Sequence, residues 1–193
     1  MPTATLPPPS ERQDRLFTRA DYHAMASAGI LSENDRVELI EGKILTMMPI
    51  GPWHASSALR LTKLLNNIYQ DRALVAAGNP VGLGNHSEPQ PDISVLRRKD
   101  DYYSSGHPEA KDVLLLIEIS DSTVHFDLGK KRRLYASQSV MEYWVVDGQR
   151  HCIHVFRNPQ QGEFNEERIF RPGELIPLPE CEGAALEVNA TGV

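Results

Sequence analysis

Different spacings of apolar residues along the chain predict different kinds of element. In PWHASSALRLTKLLNNIYQ the apolar positions 58, 59, 61, 64, 65 and 68 follow helical spacing, and Pro52 suits a first helical turn. VELIEGKILTM contains two short strand-like runs joined at Glu41-Gly42, a pattern typical of a hairpin. VLLLIEI is an almost unbroken apolar run of strand length, which favours a central position in a sheet.

The other segments complete the order of elements. Thr18 predicts the N-cap of a first helix that ends at Gly29, and HFDLGKKRRLYASQ predicts a later helix. Asp147-Gly148, between MEYWVVD and HCIHVFRN, predicts a hairpin. Further strands are expected in ALVAAG, PDISVL, EERIF, RPGELIPLP and ALEV, the last three short and peripheral. This order favours one α/β domain over residues 17–193, with a mixed sheet flanked by helices. Residues 1–16 are expected to be a flexible Pro-rich lead.

Composition narrows the class of protein without identifying it. With 193 residues, of which 40% are hydrophobic, the chain suits one globular domain. No apolar run is long enough to span a membrane. Cys152 and Cys181 have no recognisable metal spacing, and nothing calls for an oxidising compartment. We therefore expect a cytoplasmic protein.

Charge is unevenly distributed along the chain. The net charge of −6 argues against a nucleic-acid partner, but residues 158–193 hold seven acidic and two basic residues and so account for −5 of it. The nearly neutral remainder contains two basic clusters, Arg97-Arg98-Lys99 and Lys130-Lys131-Arg132-Arg133. Because local charge governs phosphate binding, each cluster is either a phosphate-binding surface or an ordinary solvated face.

Glu118 is a carboxylate inside the most apolar segment, on the strand face that alternation gives to Leu114 and Leu116. A buried unpaired carboxylate is costly, so Glu118 needs a structural ion-pair partner, for which Lys131 is the candidate, or a bound cation. Asp92 begins the PDISVL strand, and antiparallel pairing of the two strands would bring both acids to the same end of the sheet. A hard divalent cation with oxygen ligands would relieve their repulsion.

The helix that follows offers a basic group. In a regular α-helix Asp127, Lys131 and Tyr135 are spaced four residues apart and share one face. A lysine on that face can pair with the two acids, hold a phosphate oxygen or orient a water molecule. Two acids, a metal ion and a lysine suit the hydrolysis of a phosphodiester bond.

These residues, in this order, resemble the Uma-two family of restriction endonucleases, which belongs to the PD-(D/E)XK nuclease superfamily. The resemblance covers about residues 17–190 and includes ELIEG at 38–42 and, loosely, PGEL at 172–175. It implies a restriction-endonuclease-like fold and Mg²⁺- or Mn²⁺-dependent hydrolysis of DNA, often by a homodimer. The residues that carry it are Asp92, Glu118-Ile119-Ser120, Asp127, Lys131, Tyr135 and Glu142-Tyr143-Trp144.

The resemblance also implies roles for individual residues. Asp92 and Glu118 would be metal ligands, with the backbone carbonyl of Ile119 as a third. The superfamily's usual lysine, two positions after the glutamate, is Ser120 here. Lys131 is the residue that matches a lysine moved to the helix, and it would be catalytic with Asp92 and Glu118.

Three further residues are expected near the site in supporting roles. Glu38 would assist from the N-terminal part of the domain. His54 matches a position where the family often has histidine, but helix capping or packing is its expected role. Tyr135 is expected to lie in the core or behind the site.

Other readings of the sequence stay open. A catalytically silent nuclease fold that serves as a binding or interaction module is one, and a nuclease acting on RNA or on structured DNA is another. The sequence does not reveal a recognition site, catalytic competence or a biological role. His151-Cys152-Ile153-His154 looks like a metal cluster, but positions 151 and 154 would face opposite sides of a strand.

Overall fold

The computed structural model describes residues 14–32 and 34–192, the side chains of 190 and 191 excepted. Residues 1–13 of the predicted lead lie outside the described residues. At the described end, Asp14 Oδ2 lies 3.3 Å from Lys43 Nζ, and the Phe17 N–H donates to the Gly42 carbonyl at 2.9 Å. Residues 14–17 therefore lie against the first hairpin. None of the described helices is long and apolar enough to cross a membrane.

The N-terminal elements agree with the sequence pattern. Thr18 caps the first helix in a capping box with Asp21, and Gly29 just beyond its end adopts a positive φ of 71°. The predicted hairpin is antiparallel and turns at Glu41-Gly42. The elements are helix α1 (Arg19–Ser27), strands β1 (Val37–Ile40) and β2 (Lys43–Thr46), and helix α2 (Pro52–Tyr69).

A six-stranded mixed sheet forms the centre of the fold. Its strands are β3 (Ala73–Ala77), β4 (Ile93–Arg97), β5 (Val113–Ser120), β6 (Glu142–Asp147), β7 (Cys152–Gln160) and β8 (Glu163–Phe170). They lie in sequence order, and every neighbouring pair is antiparallel except β5 and β6. EERIF, expected to be a short peripheral strand, is instead part of β8, a full-length edge strand of this sheet. A separate antiparallel pair, β9 (Leu175–Pro177) and β10 (Ala185–Glu187), follows.

The parallel pair requires a crossover, because parallel strands cannot be joined by a tight turn. The crossover contains α3 (Val124–Phe126), a π-helical turn (Asp127–Lys131) and α4 (Arg132–Ser137). The prediction of an uninterrupted α-helix is therefore wrong, because a π turn interrupts it. Such turns inside helices often occur at functional sites, and this one carries Lys131.

Both faces of the sheet are covered by apolar side chains. On one face, Leu61 and Leu65 of α2 pack in a cluster with Ile117 and Trp144. On the other, Tyr135 of α4 packs in a cluster that includes Leu116, Tyr143 and Phe156. The sheet is thus the middle of three layers, which explains why β5 is buried along its whole length.

One expectation about β5 is wrong. Leu114 belongs to the same cluster as Leu115, Ile117 and Ile119, not to that of Leu116. The pairing with β4 shifts register between Val95 and Leu96, so a bulge interrupts simple alternation at this end of the strand. Alternation holds at the other end, where Glu118 lies.

Candidate active site

A pocket of about 480 Å³ opens where β4 begins and β5 ends. Its lining is strongly acidic: five carboxylates face two basic side chains, Arg36 and Lys131. Five carboxyl groups in one concave site, against two basic side chains and His54, favour the binding of cations. The five acidic residues are Glu38, Asp92, Glu118, Asp121 and Asp127.

Asp92 and Glu118 reach this pocket because β4 and β5 are antiparallel, as expected. Asp92 directly precedes Ile93, which pairs with Ile117, so both acids lie at the same end of the sheet. Asp92 Oδ2 accepts a hydrogen bond from the Ile119 N–H at 2.7 Å. This bond fixes the Asp92 carboxylate beside the backbone that follows Glu118. Ile119 also lines the pocket, and its role as a carbonyl ligand stays a prediction.

Lys131 joins the N-terminal hairpin to the central strand. Its Nζ lies 3.1 Å from Glu118 Oε1 and 3.2 Å from Glu38 Oε2, and all three side chains are at least 92% buried. The Tyr135 hydroxyl donates to the same Glu118 oxygen at 2.7 Å. The structure therefore brings together Glu38, Glu118, Lys131 and Tyr135, four residues that the sequence placed in three separate elements.

Asp127 accepts two hydrogen bonds at the start of the crossover. Its Oδ2 accepts hydrogen bonds from Ser120 Oγ at 2.6 Å and from Thr123 Oγ1 at 2.7 Å. Ser120, which occupies the position of the superfamily's lysine, thus ties the end of β5 to the start of the crossover. This link, together with the π turn, sets the position from which Lys131 reaches Glu118.

His54 lies in the first turn of α2 and contacts the site. Its Nε2 lies 3.0 Å from Asp92 Oδ2. The hydrogen bond to Asp92 raises the pKa of His54, burial lowers it, and the net shift is upward. The expected capping or packing role is therefore incomplete, because His54 makes no side-chain cap of α2 and contacts the same Asp92 oxygen as the Ile119 N–H.

The buried charges shift one another's protonation. Burial raises the pKa of Glu118 well above its usual range, Lys131 opposes this, and Asp92, Asp127 and Glu38 add to it. Burial lowers the pKa of Lys131, but the charges of Glu118, Glu38 and Asp127 outweigh burial, so its pKa is raised. Lys131 keeps its charge, and a further cation would favour the ionised form of Glu118.

The donors in the pocket fit a hard divalent cation. The contacts to Asp92 all use Oδ2 and those to Glu118 all use Oε1, so within the described residues one oxygen of each carboxylate accepts no hydrogen bond. Carboxylate and carbonyl oxygens are the ligands that Mg²⁺ and Mn²⁺ prefer. Asp92, Glu118 and the Ile119 carbonyl are the groups that would hold such an ion.

The two basic clusters are largely paired with acids. Arg97 binds Glu180 at 2.7 Å, and Arg132 lies 3.5 Å from Glu163. Lys130 Nζ lies 3.3 Å from Glu41 Oε2, and so points away from the buried carboxylates that its neighbour Lys131 contacts. Acidic residues of the C-terminal part thus offset basic residues that looked available for phosphate in the sequence.

Some pocket residues were missed by sequence reasoning. Arg36, Gln90 and Phe126 line the pocket, as does the segment 45–51 that leads from the hairpin to α2. In this segment Met48 is 61% and Ile50 54% exposed, large apolar side chains at the mouth of a polar site. Their spacing follows no recognisable motif, so only the folded chain identifies them.

A mixed sheet flanked by helices, with an acidic pocket where one strand begins and its antiparallel neighbour ends, defines an α/β protein of the restriction-endonuclease-like class. The family comparison agrees, since a model described as "Putative restriction endonuclease" matches residues 19–190. The chain belongs to this family, Uma2.

A solved structure has a similar fold. It is described as a "putative nuclease belonging to DUF820" from Anabaena variabilis, with a TM-score of 0.65 and 23% sequence identity. The match covers 86% of this chain and 94% of that chain. At this identity the likeness supports the fold alone. A comparison with curated proteins finds no match.

Proposed function

We propose that the protein is a divalent-metal-dependent endonuclease that hydrolyses phosphodiester bonds of DNA in the acidic pocket. The observation that carries this proposal is the convergence of Asp92, Glu118 and Lys131 on one pocket from two strands and a helical crossover. Membership of a family described as restriction endonucleases supports nucleic acid as the substrate.

Asp92 and Glu118, with the Ile119 carbonyl, would hold Mg²⁺ or Mn²⁺. When bound, such an ion supplies Lewis-acid stabilisation of the phosphoryl group and lowers the pKa of water. The lysine ammonium has three N–H donors; Lys131 donates one to Glu118 and forms an ion pair with Glu38 at 3.2 Å. A remaining donor can donate to a phosphoryl oxygen or orient the attacking water. His54 and the Ile119 N–H keep Asp92 in place during this step.

Plasmid cleavage in Mg²⁺ or Mn²⁺ tests the proposal. Asp92→Asn and Glu118→Gln keep side-chain size but remove the charges, so we expect each to abolish cleavage and weaken metal binding measured by calorimetry. Glu180→Gln is the matched control, because this exposed glutamate pairs with Arg97 outside the pocket. Cleavage that persists in an Asp92→Ala, Glu118→Ala double variant would exclude this site.

A binding or interaction module without catalytic activity is the second candidate. It is favoured by the contacts of Lys131 with both Glu118 and Glu38, since a buried ion pair of this kind neutralises the carboxylates without a metal. Wild-type protein that neither cleaves DNA nor binds Mg²⁺ or Mn²⁺ would favour this module. A homodimer stays a prediction, which light scattering with and without DNA can test.

A further inference from the structure

A second group of candidate ligands lies at the β6–β7 hairpin. Asp147 ends β6 and pairs in register with Cys152, the first residue of β7. His154 follows two positions later, so strand alternation puts it on the same face as Cys152. The three ligand atoms lie within 4.8 Å of one another, and all three residues are buried.

We propose that Asp147, Cys152 and His154 form a site for a zinc-class divalent cation. Thiolate, imidazole and carboxylate together are the ligand types that Zn²⁺ takes in proteins. This set differs chemically from the all-oxygen set of the acidic pocket, which suits Mg²⁺ or Mn²⁺. None of the three residues lines the acidic pocket, so the proposed site is separate from the proposed active site and does not depend on it.

The distances are close to those of tetrahedral coordination. His154 Nε2 lies 3.7 Å from Cys152 Sγ and 3.8 Å from Asp147 Oδ2. Tetrahedral zinc bonds of ordinary length place a sulfur and a nitrogen ligand about 3.6 Å apart, and a nitrogen and an oxygen ligand about 3.4 Å apart. Small side-chain movements would close the site, with water completing the coordination.

The surroundings orient two of the ligands. Asp147 Oδ1 accepts hydrogen bonds from the backbone N–H groups of Gln149 and Arg150 at 3.0 and 2.9 Å, which leaves Oδ2 directed to His154. Oδ2 also contacts Arg150 Nη1 at 3.0 Å. The Arg150 side chain is 66% exposed, so it can move into solvent when a cation replaces it.

The surroundings of His154 are a second observation that indicates metal binding. Its Nδ1 is buried and makes no hydrogen bond within the described residues, while Glu167 Oε1 lies 3.5 Å away. A histidine that binds metal through one nitrogen usually donates from the other to a carboxylate, which fixes the ring. Glu167 is thus placed to act as the positioning residue for metal binding through Nε2.

Cobalt titration of the full chain tests the site. Co²⁺ bound to a thiolate gives an intense near-ultraviolet charge-transfer absorption that oxygen ligands do not give. We expect one Co²⁺ per chain with this absorption, displaced by Zn²⁺. Cys152→Ser should abolish it, and His154→Gln should weaken binding. Glu167→Gln should keep the absorption but lower the affinity by about 10- to 100-fold.

Two controls separate this proposal from the proposed function and from unfolding. Cys181→Ser should keep the absorption, because Cys181 is equally buried but packs in the apolar core. The Asp92→Ala, Glu118→Ala double variant should also keep it. Thermal unfolding establishes that each variant is folded. Absence of the absorption in folded wild-type protein, or its persistence in Cys152→Ser, would overturn the proposal.

Discussion

The buried ion pairs of Lys131 lead to a quantitative prediction. Lys131→Met retains most of the side-chain volume but removes the charge that faces Glu118 and Glu38. The Lys131 side chain is 6% exposed, so little water can replace the lost ammonium group. Removing one partner of a buried ion pair costs about 3 to 5 kcal/mol. For a chain of this length, that corresponds to a fall in Tm of about 6 to 20 °C.

Lys130→Met is the matched control at the adjacent position. Lys130 pairs with Glu41, whose side chain is 55% exposed, so its loss should cost at most about 1 kcal/mol. Urea unfolding of wild type and both variants at pH 7 measures the two free energies. Equal and small losses for the two variants would refute the inference that Lys131 is a buried partner of Glu118.

The pH dependence of the same variants tests the cause of the loss. Without Lys131, Glu118 and Glu38 face each other at neutral pH and repel. Burial already raises the pKa of Glu118, and removal of Lys131 removes the charge that lowers it. The Lys131→Met deficit should therefore shrink as the pH falls and Glu118 takes up a proton. Adding Glu118→Gln to Lys131→Met should restore part of the stability at pH 7.

Three other predictions concern neighbouring residues. Tyr135→Phe removes the 2.7 Å hydrogen bond to Glu118 and should cost about 1 to 3 kcal/mol in urea unfolding, whereas an unchanged midpoint would contradict that bond. Because the pKa of His54 is raised in the folded protein, its pair with Asp92 stabilises the fold fully below about pH 6.5. This stabilisation is lost as the pH rises through the pKa of His54 in the folded protein. Wild type and His54→Gln should therefore converge in stability at high pH. Ile117→Ala leaves a cavity between α2 and the sheet and should cost about 2 to 5 kcal/mol, measured the same way; a loss under 1 kcal/mol would show that the site collapses.

Local patterns were sufficient for most of the elements. The N-cap at Thr18, the Glu41-Gly42 turn, the helical spacing after Pro52 and the apolar run of β5 all predicted their elements correctly. Each of these signals acts over a few residues, so the sequence contains it directly. Antiparallel pairing of the strands that carry Asp92 and Glu118 was a condition of the predicted site, and the structure meets it.

The sequence by itself therefore determined the order of elements and the family, and it named the acids and the lysine that are candidates for the site. Only the tertiary structure decided how they meet. The π turn that carries Lys131 and the tie between Ser120 and Asp127 follow no sequence pattern, and the approach of Glu38 joins segments far apart in the chain. The acidic partners of Arg97 and Arg132 are also distant in the chain, whereas Asp147, Cys152 and His154 meet through the register of one hairpin. These residues are close in space because of how the chain folds, and their spacing along the sequence does not reveal that they are close.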